Sequence, residues 1–472
     1  MPKMIVRVFC VSLALNLFGT LPCFANGAPA AGVDIGTIEP IDKADRILVL
    51  APHPDDEAIG CGGVIQAAVA AGSDIHIAYL TNGDHNEPAF IVYEKRLTLR
   101  TGEFVHMGEV RRLEAIAAMK LLGVNERNLI FLGYPDFGTL KIFTEYWQTD
   151  KPYKSILTRI SGVPYKANLS YGAPYIAENI LADLKKVIAA CKPNKIFVSH
   201  PADSNGDHKA LYLFLQIALH DLAGELPSYK VYPYLVHCPG WPLPRRYHPG
   251  LSLTPPAQFI GSQMQWARYA LRRKQLNKKY QAILAYKSQT SSSAFYLLAF
   301  ARTNELFGDY PDVALVPSHS RIDASAPFLG FSNIVSYLPL GLPEKDLDRY
   351  VLVQGQVSYH IDDAYLSIKV EKQRGLGRSL KFMFYLFGYR DNVAFARMPK
   401  IRILTNRNKC IVFDGRKKVS SEGVTAEFKP GKLLLRVPLA LIGAPEFVLS
   451  AVKVYSGIFP LEISGFRKVD LK

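Results

Sequence analysis

Cysteine is scarce in this chain, with six in 472 residues and no CxxC spacing. That excludes a disulfide-dense scaffold and argues against a zinc–thiolate site. No GxSxG stretch is present, and Cys61 sits in a glycine-rich segment with no base assigned to it, so neither a serine nor a cysteine nucleophile is supported. There is no internal repeat and no nucleic-acid-binding motif, although Lys and Arg exceed Asp and Glu by 15. Such an excess favours anionic polymers or surfaces and says nothing about fold. Apolar runs of the ~20 residues needed to span a membrane are missing too. The nearest is Val8–Leu21, preceded by Lys3 and Arg7 and ending at the small-residue site Cys23-Phe24-Ala25. A basic start, a short apolar stretch and a small residue before the cut describe a secretory signal peptide over residues 1–25. The mature chain is therefore expected to be exported, periplasmic or secreted, with no transmembrane segment after the signal. Cys61, Cys191, Cys238 and Cys410 remain in it.

What is present falls into two patterns. Residues 26–43 are rich in Gly, Ala and Pro, as in a linker. From residue 44, short apolar runs (Arg46–Leu50, Ile75–Leu80, Asn128–Leu132, Lys195–Ser199) alternate with helical stretches (Glu57–Ala71, Gly108–Leu122, Ile176–Cys191). Nearly all-apolar strands alternating with helices predict an α/β domain over 44–312, a Rossmann-like, mostly parallel sheet with helices on both faces. Beyond Tyr350 the pattern changes to short strands split by Gly, Asn and Asp, among them Leu380–Tyr389, Phe447–Tyr455 and a hairpin turning at Pro430-Gly431. An all-β sandwich is expected over 325–472. Residues 321–472 hold 24 Lys+Arg against 14 Asp+Glu, which places +10 of the +15 there. With every polar motif in the first half, a chain ending near Asp312 is expected to work alone on a small substrate.

The chemistry-bearing residues lie at strand ends, where an open parallel sheet binds its ligands. Ala51-Pro52-His53-Pro54-Asp55-Asp56-Glu57 follows the first run, and Ser199-His200-Pro201-Ala202-Asp203-Ser204-Asn205-Gly206-Asp207-His208 follows a later one. Carboxylates packed this closely beside imidazoles repel one another unless a cation sits between them. Two His and one carboxylate with an open position is a usual composition for a catalytic zinc site. The plain alternative is a solvated turn in which Asp56 or Glu57 caps a helix.

The Ala-Pro-His-Pro-Asp-Asp-Glu stretch and the later Asp207-His208 resemble the two hallmarks of the PIG-L/LmbE family of zinc-dependent de-N-acetylases. The resemblance runs over roughly Ala44–Gly308. It implies that His53, Asp56 and His208 hold Zn2+ (or another divalent metal), whose bound water falls toward a pKa of ~7. It further implies Asp55 as general base, removing an acetyl group from an N-acetylated, N-acetylglucosamine-containing sugar. Thr81-Asn82-Gly83-Asp84, Arg111 and the Asp136 of Leu132-Gly133-Tyr134-Pro135-Asp136 resemble substrate-contacting positions; Lys279, Ala282 and Tyr286-Lys287-Ser288-Gln289 resemble a structural helix. One departure stands out. Asn205 occupies the place where the family often has a His that aids the oxyanion or protonates the amine; as a catalytic candidate Asn can donate a hydrogen bond to the oxyanion but cannot supply a proton. His200, His237 or protonated Asp55 must then be the acid, or activity is weak. The tyrosines and Trp147 between Tyr146 and Tyr175 fit either a pocket wall or a packed loop. The basic sandwich, similar in general look to a carbohydrate-binding module, can dock on an anionic envelope glycan. The competing class is a weakly active or inactive exported glycan-binding protein that keeps a metal site. No nucleic-acid partner is expected.

Overall fold

Six residues, Arg46–Ala51, occupy the centre of the first sheet because their side chains are apolar on both faces. Ile47, Val49 and Ala51 enter the core on one side, Leu48 and Leu50 the core on the other. The computed structural model describes residues 34–85, 101–259, 264–316, 329–331, 334–336, 356–371, 380–429, 431–457 and 459–472. The expected signal peptide and residues 26–33 of the expected linker lie outside them.

In chain order the first half runs β1 (Ile35–Thr37), β2 (Arg46–Ala51), α1 (Asp56–Ala71), β3 (Asp74–Thr81), α2 (Thr101–Leu122), β4 (Leu129–Tyr134), α3 (Thr139–Glu145), α4 (Ala177–Cys191) and β5 (Lys195–Ser199). It continues with α5 (Gly206–Asp221), β6 (Lys230–Tyr234), β7 (Trp266–Ala270), α6 (Arg273–Ala285), α7 (Lys287–Leu297) and β8 (Asn304–Gly308). The sheet order is β1-β7-β8-β6-β5-β2-β3-β4. Pairings are parallel except those of β8 with β6 and β7, which are antiparallel. The mixed sheet agrees with the α/β expectation. Residues 35–37, read as linker, instead add an edge strand beside β7. From β2 the chain goes to β3 on one side and later returns to β5 on the other. The crevice beyond the carboxyl ends of β2 and β5 is therefore the topological switch point, the place where such sheets bind ligands.

Helix α1 is buried on nearly every side, which its glycines permit. A Cβ on Gly60 would lie 2.6 Å from the Tyr234 ring, and one on Gly63 would meet Leu271 at 2.8 Å. The helix ends at Gly72, whose φ of 74° only glycine adopts freely. A buried ion pair, Lys279 Nζ to Glu305 Oε1 at 2.7 Å, ties α6 to β8 and accounts for the structural role expected of Lys279. Glu305 also accepts from the Gly63 and Val64 amides.

The second half is all β: β9 (Val313–Ala314), β10 (Leu329–Phe331), β11 (Ile334–Ser336), β12 (Gln356–Ile361), β13 (Tyr365–Glu371), β14 (Leu380–Tyr389), β15 (Lys400–Asn406), β16 (Lys409–Asp414), β17 (Lys417–Val419), β18 (Thr425–Lys429), β19 (Lys432–Pro438), β20 (Phe447–Ser456), β21 (Phe459–Ser464) and β22 (Arg467–Asp470). Two sheets, β10-β12-β13-β19-β18 and a nine-stranded one centred on β14 and β20, enclose a core of Leu366, Phe384, Leu435 and Val452. The four cysteines Cys61, Cys191, Cys238 and Cys410 form no disulfide. Among the described residues no helix is long and apolar enough to cross a membrane.

The two halves share one of their cores. On β14, Phe382, Phe384 and Leu386 face the sandwich core, while Phe387 and Tyr389 enter the core of the first half together with Phe395, Phe447, Leu449 and Phe466. Phe143 of α3 lies 5.4 Å from Phe387 and 5.8 Å from Phe395, ring centre to ring centre. Arg402 pairs with Glu145 of α3 at 2.8 Å, and Lys400 Nζ stands 4.9 Å over the Trp147 ring. The strand β14 is apolar on both faces because two different cores claim it.

Candidate active site

The β2–α1 turn holds the first cluster. His53 Nδ1 and His208 Nε2 both lie 3.1 Å from the same oxygen, Oδ2 of Asp56, and all three residues are buried. His208 stands in the first turn of α5, which Asn205 caps by accepting the Asp207 amide at 2.8 Å. Donor atoms of His53, Asp56, His208 and half-buried His237 all fall within 4.8 Å of one another. The His237 ring centre is 4.8 Å from that of His208 and 6.0 Å from that of Tyr296.

Asp55 lies at the N-cap position of α1, yet its side chain makes no capping hydrogen bond. Its φ of 122° is rare for a residue with a Cβ, and such strain is stored mostly at functional positions. Burial pushes its carboxyl up to about 7, against the pull of Arg111 and with the push of Asp56. Arg111 Nη2 is 3.4 Å from Asp55 Oδ2; the same guanidinium donates to the carbonyls of Pro54 (2.7 Å) and Gly83 (2.9 Å). Arg111, implied by resemblance to reach substrate, is thus engaged in joining the two loops after β2 and β3.

Asp136 is brought beside His53, Oδ1 to Nε2 at 3.1 Å. Burial alone would raise its carboxyl, but the His53 charge overrides that and holds it well below the usual range. Asp84 accepts from Tyr165 Oη at 2.7 Å and from the Asp136 amide at 3.3 Å. Its burial, with Asp136 nearby, lifts it to about 7. Asp84 therefore shapes the Asp136 loop. Of the aromatic stretch, Trp147, Tyr153, Tyr165 and Tyr175 are core residues while Tyr171 is exposed, so the run is chiefly packing. Burial holds His200 down to about 3, its Nδ1 accepts the Ala202 amide, and its ring stacks on Trp266.

Three carboxylates within these motifs were given no role at the site by sequence reasoning. Asp203 Oδ2 meets His208 Nδ1 at 3.1 Å and accepts the amides of Val236 (3.1 Å) and His237 (2.8 Å). Such a partner fixes the tautomer and orientation of a ligating imidazole. Asp207 accepts the Phe137 and Thr139 amides and approaches His53 Nε2 at 3.3 Å. Glu57, bonded to Tyr286, is raised to about 8 by burial. The sequence clue was available, since Asp203 and Asp207 flank the capping Asn205 directly beyond a strand end.

Glu57, Asp55, Asp56, Asp84, Asp136, Asp203 and Asp207 are all buried here, with Arg111 buried beside Asp55. So many carboxylates in low dielectric call for positive charge. Burial would lower His208, but Asp203 and Asp56 outweigh it and lift the imidazole to about 9, so the site stabilises a cation at that point. Nitrogen and oxygen donors converging from His53, Asp56 and His208 fit a divalent metal of the zinc type.

Residues 48–219 match the family described as GlcNAc-PI de-N-acetylase, PIG-L. A deacetylase of 1D-myo-inositol 2-acetamido-2-deoxy-alpha-D-glucopyranoside from Mycobacterium sp. (strain KMS) is 31% identical over 113 residues, covering 24% of this chain and 34% of that protein. The protein of the same description from Corynebacterium glutamicum (strain R) is 34% identical over 79 residues, 17% of this chain and 26% of its own length. The chain thus spans about a third of the length of the curated relatives it matches. Among solved structures, N,N'-diacetylchitobiose deacetylase from Pyrococcus horikoshii is similar at 18% identity and a TM-score of 0.30, covering 52% of this chain and 71% of that one. Residues 48–219, which carry His53, Asp55, Asp56 and His208, are a PIG-L domain.

Proposed function

We propose that this chain is a metal-dependent hydrolase that removes the acetyl group from an N-acetylated, N-acetylglucosamine-containing sugar, acting outside the cytoplasm. One observation carries the reading: Asp55 sits at the N-cap of α1 without capping it, buried beside three converging donor atoms. The deacetylase descriptions of the curated relatives support the reaction type.

His53, Asp56 and His208 would hold the metal, which when bound polarises the acetyl carbonyl and makes water acidic near neutral pH. Asp55 takes a proton from the attacking water, a task suited to a carboxyl near 7. Arg111 keeps that carboxylate in place from α2. Burial holds His237 down to about 4, so its neutral ring offers a hydrogen bond to the developing oxyanion. Asn205 has no proton to give up, and Asp55 then returns its proton to the leaving nitrogen as the C–N bond breaks, giving acetate and a free amine. Asp136, buried beside His53, would accept from sugar hydroxyls, as the family resemblance implies.

A weakly active glycan-binding protein is the second reading, favoured only by Asn205 standing where a proton donor is usual. Metal analysis of the wild type and His53→Ala, with acetate release from a panel of N-acetylglucosamine compounds, separates the two. The hydrolase reading expects a metal lost in His53→Ala and acetate from at least one compound. A metal retained in full by that variant, or bound elsewhere, overturns it.

A further inference from the structure

The turn between β21 and β22 touches the catalytic loop from the other half of the molecule. Gly465 and Phe466 are both buried there. The Phe466 amide donates to the Pro201 carbonyl at 3.4 Å. A Cβ on Gly465 would come within 3.1 Å of Ala202 Cα and 2.4 Å of Tyr310 Oη. The Phe466 ring packs against Tyr385 (5.6 Å) and Phe387 (6.1 Å) of β14. Arg467 closes the other side, with Nη1 donating to the Pro311 carbonyl at 3.0 Å and its guanidinium 4.2 Å over the Tyr310 ring.

Pro201 and Ala202 immediately precede Asp203. That one carboxylate binds the His208 ring and the amides of Val236 and His237. A displacement of Pro201–Ala202 would therefore reach the His208 ring and the His237 backbone through Asp203. The sandwich also grips the helices on either side: α3 through Phe387, Phe395 and Arg402, and the end of α5 through Phe447, whose ring centre is 4.5 Å from that of His220. A tethered binding module would need none of these contacts.

We propose that Gly465 and Phe466 are positioning residues for Asp203, so that the metal centre of the first half is completed by the β-sandwich. The metal arm of this inference rests on the function proposed above; the backbone arm does not.

The test uses the full chain as Phe466→Ala, Gly465→Ala and Phe466→Leu. Leu435→Ala, a truncation in the sandwich core, a cluster that Phe466 does not join among the described residues, is the control. Two quantities are read: amide hydrogen exchange at residues 202–208 and 236–237, and Zn2+ affinity by competition with a chromophoric chelator. Phe466→Ala and Gly465→Ala should speed exchange there by about tenfold or more and weaken Zn2+ by roughly 10–100-fold, the usual cost of disturbing a ligand's outer partners. Phe466→Leu should recover most of both, and Leu435→Ala should change neither. If Phe466→Ala fails to fold, Gly465→Ala, which adds one methyl, carries the test. Wild-type exchange in both alanine variants, or an equal change in Leu435→Ala, overturns the proposal. Should the wild type bind no Zn2+, the functional reading fails and the exchange arm alone decides this one.

Discussion

Asp55→Asn separates catalysis from architecture. The substitution keeps the shape and tolerates the φ of 122°, since Asn is among the side chains that visit positive φ. Turnover should fall by the roughly 10²–10⁴ that a positioned base contributes. Stability of the metal-free protein should move the other way. In the unfolded chain the carboxyl loses its proton near 3.8, whereas in the folded chain burial keeps it to about 7. Between those values the folded state binds more protons, so stability falls as pH rises through that window. A rise from 3.8 to about 7 amounts to on the order of 4 kcal/mol, fully felt above neutral pH. The Asn variant never ionises and escapes that cost. Urea melts of wild type and variant with a chelator, taken from about pH 4.5 to 8, should diverge as pH rises, the variant being the more stable. The wild-type rate should decline as pH falls and Asp55 protonates, and bound metal should push that decline to lower pH. A variant less stable than wild type above pH 7, or one that turns over normally, refutes the reasoning and makes Asp55 a cap.

Three further outcomes are expected. Asn205→Ala should lose about 1 kcal/mol of stability through the α5 cap while keeping most turnover; a loss of 10²-fold or more in kcat would restore a catalytic role for Asn205. A chain ending at Asp312 exposes the faces of α3 and α5 that Phe387, Phe395, Phe447 and Phe466 cover, and should aggregate or melt without cooperativity. Recovery of a soluble domain with a sharp transition would show that the shared core is dispensable. Lys279→Met leaves Glu305 charged and unpaired in the core and should cost about 3–5 kcal/mol in a denaturant melt; a shift under about 1 kcal/mol would mean that Glu305 is satisfied by the Gly63 and Val64 amides alone.

Local pattern alone determined the β2 run, the α1 helix with its Gly72 stop, and the His53–Glu57 cluster at a strand end, because each depends on residues a few positions apart. It also marked Asp207-His208 as a second cluster of the same kind. Only tertiary structure decided that these clusters meet. His208 reaches Asp56 across more than 150 positions because β5 lies beside β2, and strand order is set by long-range pairing. The same holds for Arg111, whose Nη1 and Nη2 join the Gly83 and Pro54 loops, and for Asn205, whose Oδ1 caps the helix it begins. Residues 35–37 became a strand because β7 left an edge open, not because of their own composition. For β14 the sequence showed two apolar faces and nothing about what would cover them. Periodicity records that a side chain must leave water; which surface it meets depends on contacts between residues hundreds of positions apart, and these joined the sandwich to the helices of the site.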